Sequence, residues 1–464
     1  MGNSESSINL SSSAGLIARM DRLPVMKIHY FWAALLAVNL MLEYYDNAIF
    51  AYAAPIIKAH TNYSTEQIGT ISSMFFVGMI IGALVGGRLS DKFGRRSVIF
   101  WATLLYSVGS LFTALSTNYE MMLVSRVITG IGVQAATSVL LVYVAEMFPS
   151  HTRGRFLSIV TFGFVISGVA AAALALFYLP NSGNDAWRHL FYVGSVGLLI
   201  APMIRFGLPE SIRWYISKNK YKQAEQLVFK LEQKALSNNQ ILKTPEVIAI
   251  ENSQEATFSE LLKNKAVLFT IAIVGIGYFG STLAYYLFGN WGIYSLVYGL
   301  KYSEDKAYYI FFMWNVIYCV TPFIAMIVLD HFERKSMILA MSALAAFPLI
   351  ALGISTTSWI LIAAGGLTSI LTGMVINGYY TYIPETIPTK LRALGSGIII
   401  SLGRFGGAVS GVLGAWLFTT AGIQGVMFTA AAFYILFALP VIFFGPLTTN
   451  RTLEAVNRQG LGDK

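Results

Sequence analysis

The chain has 464 residues, of which 56% are hydrophobic and 12% charged, with a net charge of +9. Ordinary soluble domains carry about 25% charged residues, so a water-soluble globular protein is excluded. The lone Cys319 excludes an internal disulfide framework, and the excess positive charge follows a topological pattern rather than one that suits nucleic acid.

Residues 1–28 form a polar, Ser-rich tail without the features of a cleavable secretory signal. Twelve apolar runs follow, at roughly 29–57, 67–87, 97–116, 121–145, 156–178, 188–207, 266–291, 307–329, 337–354, 358–383, 394–418 and 423–446. Each is long enough to cross a bilayer as a helix. The expected fold is an all-α membrane protein of twelve transmembrane helices in two six-helix bundles, 29–207 and 266–446. A Lys-rich linker, 208–265, separates them, and the apolar spacing of 219–236 predicts a surface amphipathic helix within it. That linker is either a solvated tether or a gating element. Residues 447–464 form a second tail.

Lys and Arg set the orientation. With the N-terminus inside, 26 of the 32 fall on the inner side, including Arg19, Arg22, Lys27, Arg451 and Arg458. Both termini are therefore expected in the cytoplasm, and the chain in a plasma membrane such as the bacterial inner membrane.

Between the second and third runs lies a charged hairpin, Gly87 to Arg96, with Asp91 among Arg88, Lys92, Arg95 and Arg96. Asp330, Phe332, Arg334 and Lys335 repeat its spacing 239 residues later (330 − 91). Glu146, Pro149 and Arg153 return at the same offset as Glu385, Pro388 and Arg392. Two motifs at one offset imply a duplicated half. Asp91, Arg95, Arg96, Glu146, Arg153, Glu210 and Arg213 border one half, and Asp330, Glu333, Arg334, Glu385 and Arg392 the other. Exposed ion pairs are worth roughly 0–1 kcal/mol each, so these groups suit a cytoplasmic gate that is easily opened. Topology alone accounts for the basic residues but not for the repeated Glu.

Four ionisable side chains sit within spans: Glu43, Asp46, Arg126 and Arg404. Each costs a few kcal/mol at a helix centre, so each should face a cavity or a partner. Asp46 lies about 25 Å along an outward-running first helix, and Arg126 about 7 Å into an inward-running fourth, so the two share a depth. Glu43 lies one turn deeper on the same face as Asp46. A cluster of the three is expected, either as a permanent salt bridge or as a proton-loading site. Arg404, about 15 Å deep on the eleventh helix, either holds a substrate carboxylate or braces helix ends.

Asp91-x-x-Gly94-Arg95-Arg96 resembles the loop 2–3 signature of the major facilitator superfamily, and Pro209-Glu210-Ser211-x-Arg213-Trp214 resembles a signature of its sugar porter and organic ion branches. The resemblance implies transport by alternating access. It aligns Asp46 with an acid that binds the coupling proton in sugar porters, and Arg126 with the arginine that tunes it. Gly403-Arg404-Phe405-Gly406-Gly407 resembles the glycine-arginine element of organic ion transporters. Sugar porters carry paired glutamines on helix seven, where this chain has Gly277-Tyr278-Phe279-Gly280-Ser281-Thr282. That departure weakens a hexose assignment.

Transporter sites lie near the midplane between repeats. Candidates to line one are Asn39, Asn47, Gln134, Thr137, Tyr278, Ser281, Thr282, Tyr285, Tyr286, Trp314, Asn315, Asn377, Tyr379, Tyr380 and Arg404. The expected function is proton-coupled symport of a small organic solute, first an organic acid or related metabolite. A sugar or polyol comes second and drug antiport third. From another class, a transporter-like sensor should lose the gate motifs or gain a signalling domain, and neither is seen. No nucleophile–His–acid set, metal cluster or phosphate-binding Gly loop appears, so no enzyme, metal or cofactor is expected. The partners are substrate, protons and the lipid bilayer, with no nucleic acid, and a monomer is expected.

Overall fold

The computed structural model describes residues 12–245, 258–328 and 331–448; Asp330, Arg451 and Arg458 lie outside them. Among the described residues the chain forms helices and no strands. In lipid every backbone polar group must be satisfied by the protein itself, and the helix does this within one segment. The spans are α2 (Lys27–His60), α3 (Thr65–Phe93), α4 (Arg95–Ala114), α5 (Tyr119–Met147), α6 (Arg153–Tyr178), and α7 with α8 (Ala186–Gly194, Gly197–Gly207). The linker carries α9 (Ile212–Ser217), α10 (Tyr221–Ser237) and α11 (Phe258–Lys263), and after it come α12 (Lys265–Tyr294), α13 with α14 (Glu304–Tyr318, Thr321–Val328), α15 (Arg334–Ile354), α16 (Ser358–Glu385) and α17 (Arg392–Phe444). Gly422, with φ 61°, breaks α17 into two spans, so twelve segments cross.

Local chemistry sets the ends. Ser64 and Gln67 form a reciprocal box at the start of α3, with bonds of 3.2 and 2.8 Å. Asn118 accepts from Met121 at the start of α5. Small residues then allow α5 to sit between two neighbours. A Cβ on Gly130 would lie 2.0 Å from the Phe75 carbonyl of α3, and one on Gly132 would lie 2.4 Å from the Tyr106 nitrogen of α4.

The first six and last six spans meet on the membrane face opposite the charged hairpins. There Gly69 of α3 lies against Gly411 of α17, close enough that a Cβ on either would meet the other's carbonyl. The Tyr298 hydroxyl donates to Pro55 O at 3.0 Å, Tyr308 to Tyr52 O at 2.9 Å, and Val412 N to Ser73 Oγ at 3.1 Å. Among the described residues, no ion pair joins the two sets of spans.

On the hairpin face, α1 (Ser13–Asp21) lies against α10 (Tyr221–Ser237) of the linker. Ala224, Val228, Leu231 and Ala235 form the buried face of α10. Arg19 and Arg22 converge on Glu232, each with a contact of 2.6 Å. Burial alone would raise the Glu232 carboxyl, but hydrogen bonds from Arg19 and Arg22 outweigh it and hold the carboxyl below its usual range. Such a group contributes stability above its unfolded pKa and loses it as pH falls through the lowered folded value. Protection of the α1 amides, taken relative to their intrinsic exchange rates, is therefore expected to be high at neutral pH and to fall below the ordinary carboxylate range. Glu232→Gln should show the lower protection already at neutral pH.

Candidate functional site

The site is built around the first span. Asp46 and Arg126 are both buried, at 0 and 1% exposure, and the depth match places them side by side. Their contact is not the salt bridge that one of the two readings called for. The guanidinium reaches the Asp46 main-chain carbonyl at 3.4 and 3.5 Å, and no ion pair with the carboxylate forms. The cation sits instead in an aromatic pocket, 4.3 Å from the Phe75 ring and 5.4 and 5.7 Å from Phe50 and Phe191. Each ring face is worth about 0.5–2 kcal/mol to a cation, most when desolvated. The carboxyl receives Ser110 Oγ at 2.7 Å on Oδ1, while Oδ2 has no partner.

Glu43 is held more completely. Asn39 Nδ2 donates to one oxygen and Thr137 Oγ1 to the other at 2.6 Å. Thr103 and Tyr106 of α4 donate to Asn39 Oδ1 at 2.9 and 3.1 Å and fix the amide. Asn39 is thus a buried support for Glu43 rather than a wall of the cavity. Thr137 is half-buried and links Glu43 to the space between the halves.

Across that space stands Arg404. It donates to the Tyr286 hydroxyl at 3.1 Å, and its Nε is buried without a partner. Tyr286 packs against Phe76 of the other half with ring centroids 4.4 Å apart. Tyr285 meets Tyr44 at 3.4 Å, and Asn315 Nδ2 reaches the Tyr52 hydroxyl at 3.3 Å. Tyr278 lies behind Tyr380, with centroids 6.3 Å apart. Asn47 and Asn377 are half-buried and Tyr380 is exposed.

Five expected wall residues are packing residues instead. Trp314 donates to Leu361 O at 2.9 Å, stacks on Phe288 and fills the space over Gly365. The Thr282 hydroxyl donates back to Tyr278 O at 2.9 Å. Ser281 and Tyr379 are fully buried, and Gln134 donates to Ser138 of its own helix at 3.0 Å. Residue type marked these positions, but their helix faces turn into the bundles.

The hairpin residues form networks within each half. Gly94 adopts φ 101°, and a Cβ there would lie 2.3 Å from a Glu210 carboxyl oxygen. That carboxylate accepts from Arg96 N at 3.0 Å and Ser211 N at 2.9 Å, so it caps the start of α4. Arg95 makes two bonds to Glu146, of 3.1 and 3.2 Å, and a 2.9 Å pair to Asp91. Arg334 and Glu385, each 239 positions on, repeat the Arg95–Glu146 pair at 3.6 Å. Arg153 pairs with Asp21 at 3.6 Å, Arg392 donates to Thr389, Glu333 accepts from Thr448 N, and Arg213 is exposed. Among the described residues, the ion pairs of the expected gate lie within each half and none crosses between them. Asp91 is 70% exposed, so Asp91→Asn should cost at most about 1 kcal/mol of stability. It is expected to slow transport while leaving equilibrium substrate affinity within a few-fold, measured on one proteoliposome preparation.

Ser110, Tyr44 and Phe75 escaped the sequence reading. The signal for Ser110 was a hydroxyl stripe, Thr103, Ser107, Ser110 and Thr113, at helical spacing on an otherwise apolar span.

Comparison with known proteins fits this architecture. The niacin transporter NiaP of Acinetobacter baylyi is 25% identical over 95% of this chain and 99% of its own length. The arabinose-proton symporter of Bacillus subtilis is 24% identical over 90% of this chain and 92% of its own. A partially occluded inward open structure of the xylose transporter XylE from E. coli superposes with a TM-score of 0.73 at 18% identity, covering 92% of this chain and all of that one. The family model described as "Sugar (and other) transporter" matches residues 32–459. The chain is a multi-pass membrane transporter of the major facilitator type, not an enzyme, and belongs to the sugar (and other) transporter family.

Proposed function

We propose that this protein imports a small organic acid together with protons, by alternating access, with both termini in the cytoplasm of a bacterial cell. The observation that carries the reading is the placement of unfilled valences. Asp46 Oδ2, Arg126 Nε and Arg404 Nε are buried without partners. A buried polar atom without a partner costs about 1–3 kcal/mol, more when charged; the buried Ser281, Tyr379 and Gln134 also carry such atoms, so what singles out Asp46 and Arg404 is their charge within the spans. At Asp46 the missing partner is a proton. At Arg404 it is a carboxylate, which a guanidinium holds with two parallel bonds. The tyrosines around Arg404 suit a flat organic group. The niacin transporter among the relatives agrees with an acid substrate, and the arabinose-proton symporter with proton coupling.

A mechanism follows. Among the described residues no ion pair joins the halves on the hairpin face, which supports reading this arrangement as inward-facing. Substrate leaves past Arg404 when the acid on α2 gives up its proton. The Arg95–Glu146 and Arg334–Glu385 networks then meet across the halves as the inner face closes. A sugar is the second reading, supported by the Asn47, Asn315 and Asn377 amides. Counterflow into proteoliposomes with labelled monocarboxylates, pentoses and hexoses separates the two. Exchange of carboxylates is expected; exchange of sugars alone would overturn the acid reading.

A further inference from the structure

A groove of about 540 Å³ opens on the outside of the first six spans, away from Asp46 and Arg404. Its walls are Val85, Leu89 and Phe93 of α3, Trp101 and Leu105 of α4, and Ile131 of α5. Trp101 is 66% exposed, so this surface faces lipid. From Gly82 to Phe93 the groove runs about 16 Å along the helix, close to half of a ~30 Å hydrocarbon core. It therefore has the depth of one leaflet. Its far end meets the hairpin, where the Lys92 ammonium lies 5.1 Å from the Phe93 ring centroid. Arg95 is paired with Asp91 and Glu146, and Arg96 turns to the carbonyls of Arg205 and Leu208. Arg88 and Lys92 are exposed and make no ion pair among the described residues. An apolar channel one leaflet deep thus ends beside Lys92, with Arg88 one turn back on the same helix.

We propose that this groove binds an anionic phospholipid, with one acyl chain along α3 and α4 and the phosphate held by Lys92 and Arg88. The commitment to an anionic headgroup rests on those two charges, each expected to favour an anionic over a zwitterionic lipid about fivefold. The full-length protein in nanodiscs is titrated with phosphatidylglycerol or phosphatidylcholine brominated in the acyl chain. Quenching of Trp101 is read as the difference from Trp101→Phe. The expected result is stronger quenching by phosphatidylglycerol, a preference that falls to about one in the Arg88→Gln/Lys92→Gln double variant. Val85→Phe, which fills the groove, should reduce quenching by both lipids. Equal quenching by the two lipids in the wild type, or a preference that survives the double variant, overturns the proposal. So does absence of quenching by either lipid together with cross-linking of two chains through this face, which would assign the groove to a second copy.

Discussion

Replacing Asp46 by Asn is expected to reduce proton-driven accumulation of substrate to simple equilibration while leaving substrate counterflow within a few-fold of wild type. The amide keeps the shape of the protonated acid and still accepts from Ser110, 2.7 Å away in the wild type. It cannot release a proton, so the two fluxes uncouple. An inward gradient of one pH unit supplies about 1.4 kcal/mol per proton. With one proton per substrate the wild type should concentrate substrate about tenfold at that gradient, and the variant should reach a ratio of about one. Glu43 is the rival carrier, but both of its oxygens already accept hydrogen bonds. Glu43→Gln should retain most of the accumulation. Arg126→Ala should fall between, because the guanidinium touches the Asp46 carbonyl and not its carboxylate. Intact accumulation in Asp46→Asn with loss in Glu43→Gln would move the proton to Glu43.

The second large effect is expected at Arg404. Truncating one partner of a buried charge pair costs about 2–5 kcal/mol, so Arg404→Ala should weaken binding of a carboxylate substrate by about 30-fold or more. A bracing role would weaken all ligands alike. The measurement is therefore affinity for the acid and for its neutral amide on the same protein. The wild type should prefer the acid strongly, Arg404→Ala should bind both equally and poorly, and Arg404→Lys should keep a reduced preference. Loss of both affinities in proportion would make Arg404 a brace, consistent with its bond to Tyr286.

The sequence was most informative where lipid imposes the rule. Spans about twenty residues long are visible because a helix that crosses the bilayer needs a continuous apolar run of that length. The offset shared by Arg95–Glu146 and Arg334–Glu385 was legible because each partner sits in a short motif that repeats 239 residues on. The shared depth of Asp46 and Arg126 was legible from helix rise alone. What depth cannot give is the direction of a side chain. Nothing in the spacing showed that Arg126 would turn to Phe75 of a third helix, or that Trp314 would face inward against Gly365. The breaks between Gly194 and Gly197 and between Tyr318 and Thr321 were also hidden, since they interrupt apolar runs without a charge to mark them.

The most direct test of the account is proton movement itself. Proteoliposomes carrying an internal pH indicator, with no imposed pH gradient, are exposed to an outward-to-inward gradient of the transported acid in its fully ionised range. The account predicts internal acidification that tracks substrate entry, and entry without acidification in Asp46→Asn. Substrate entry with no pH change in the wild type would contradict it.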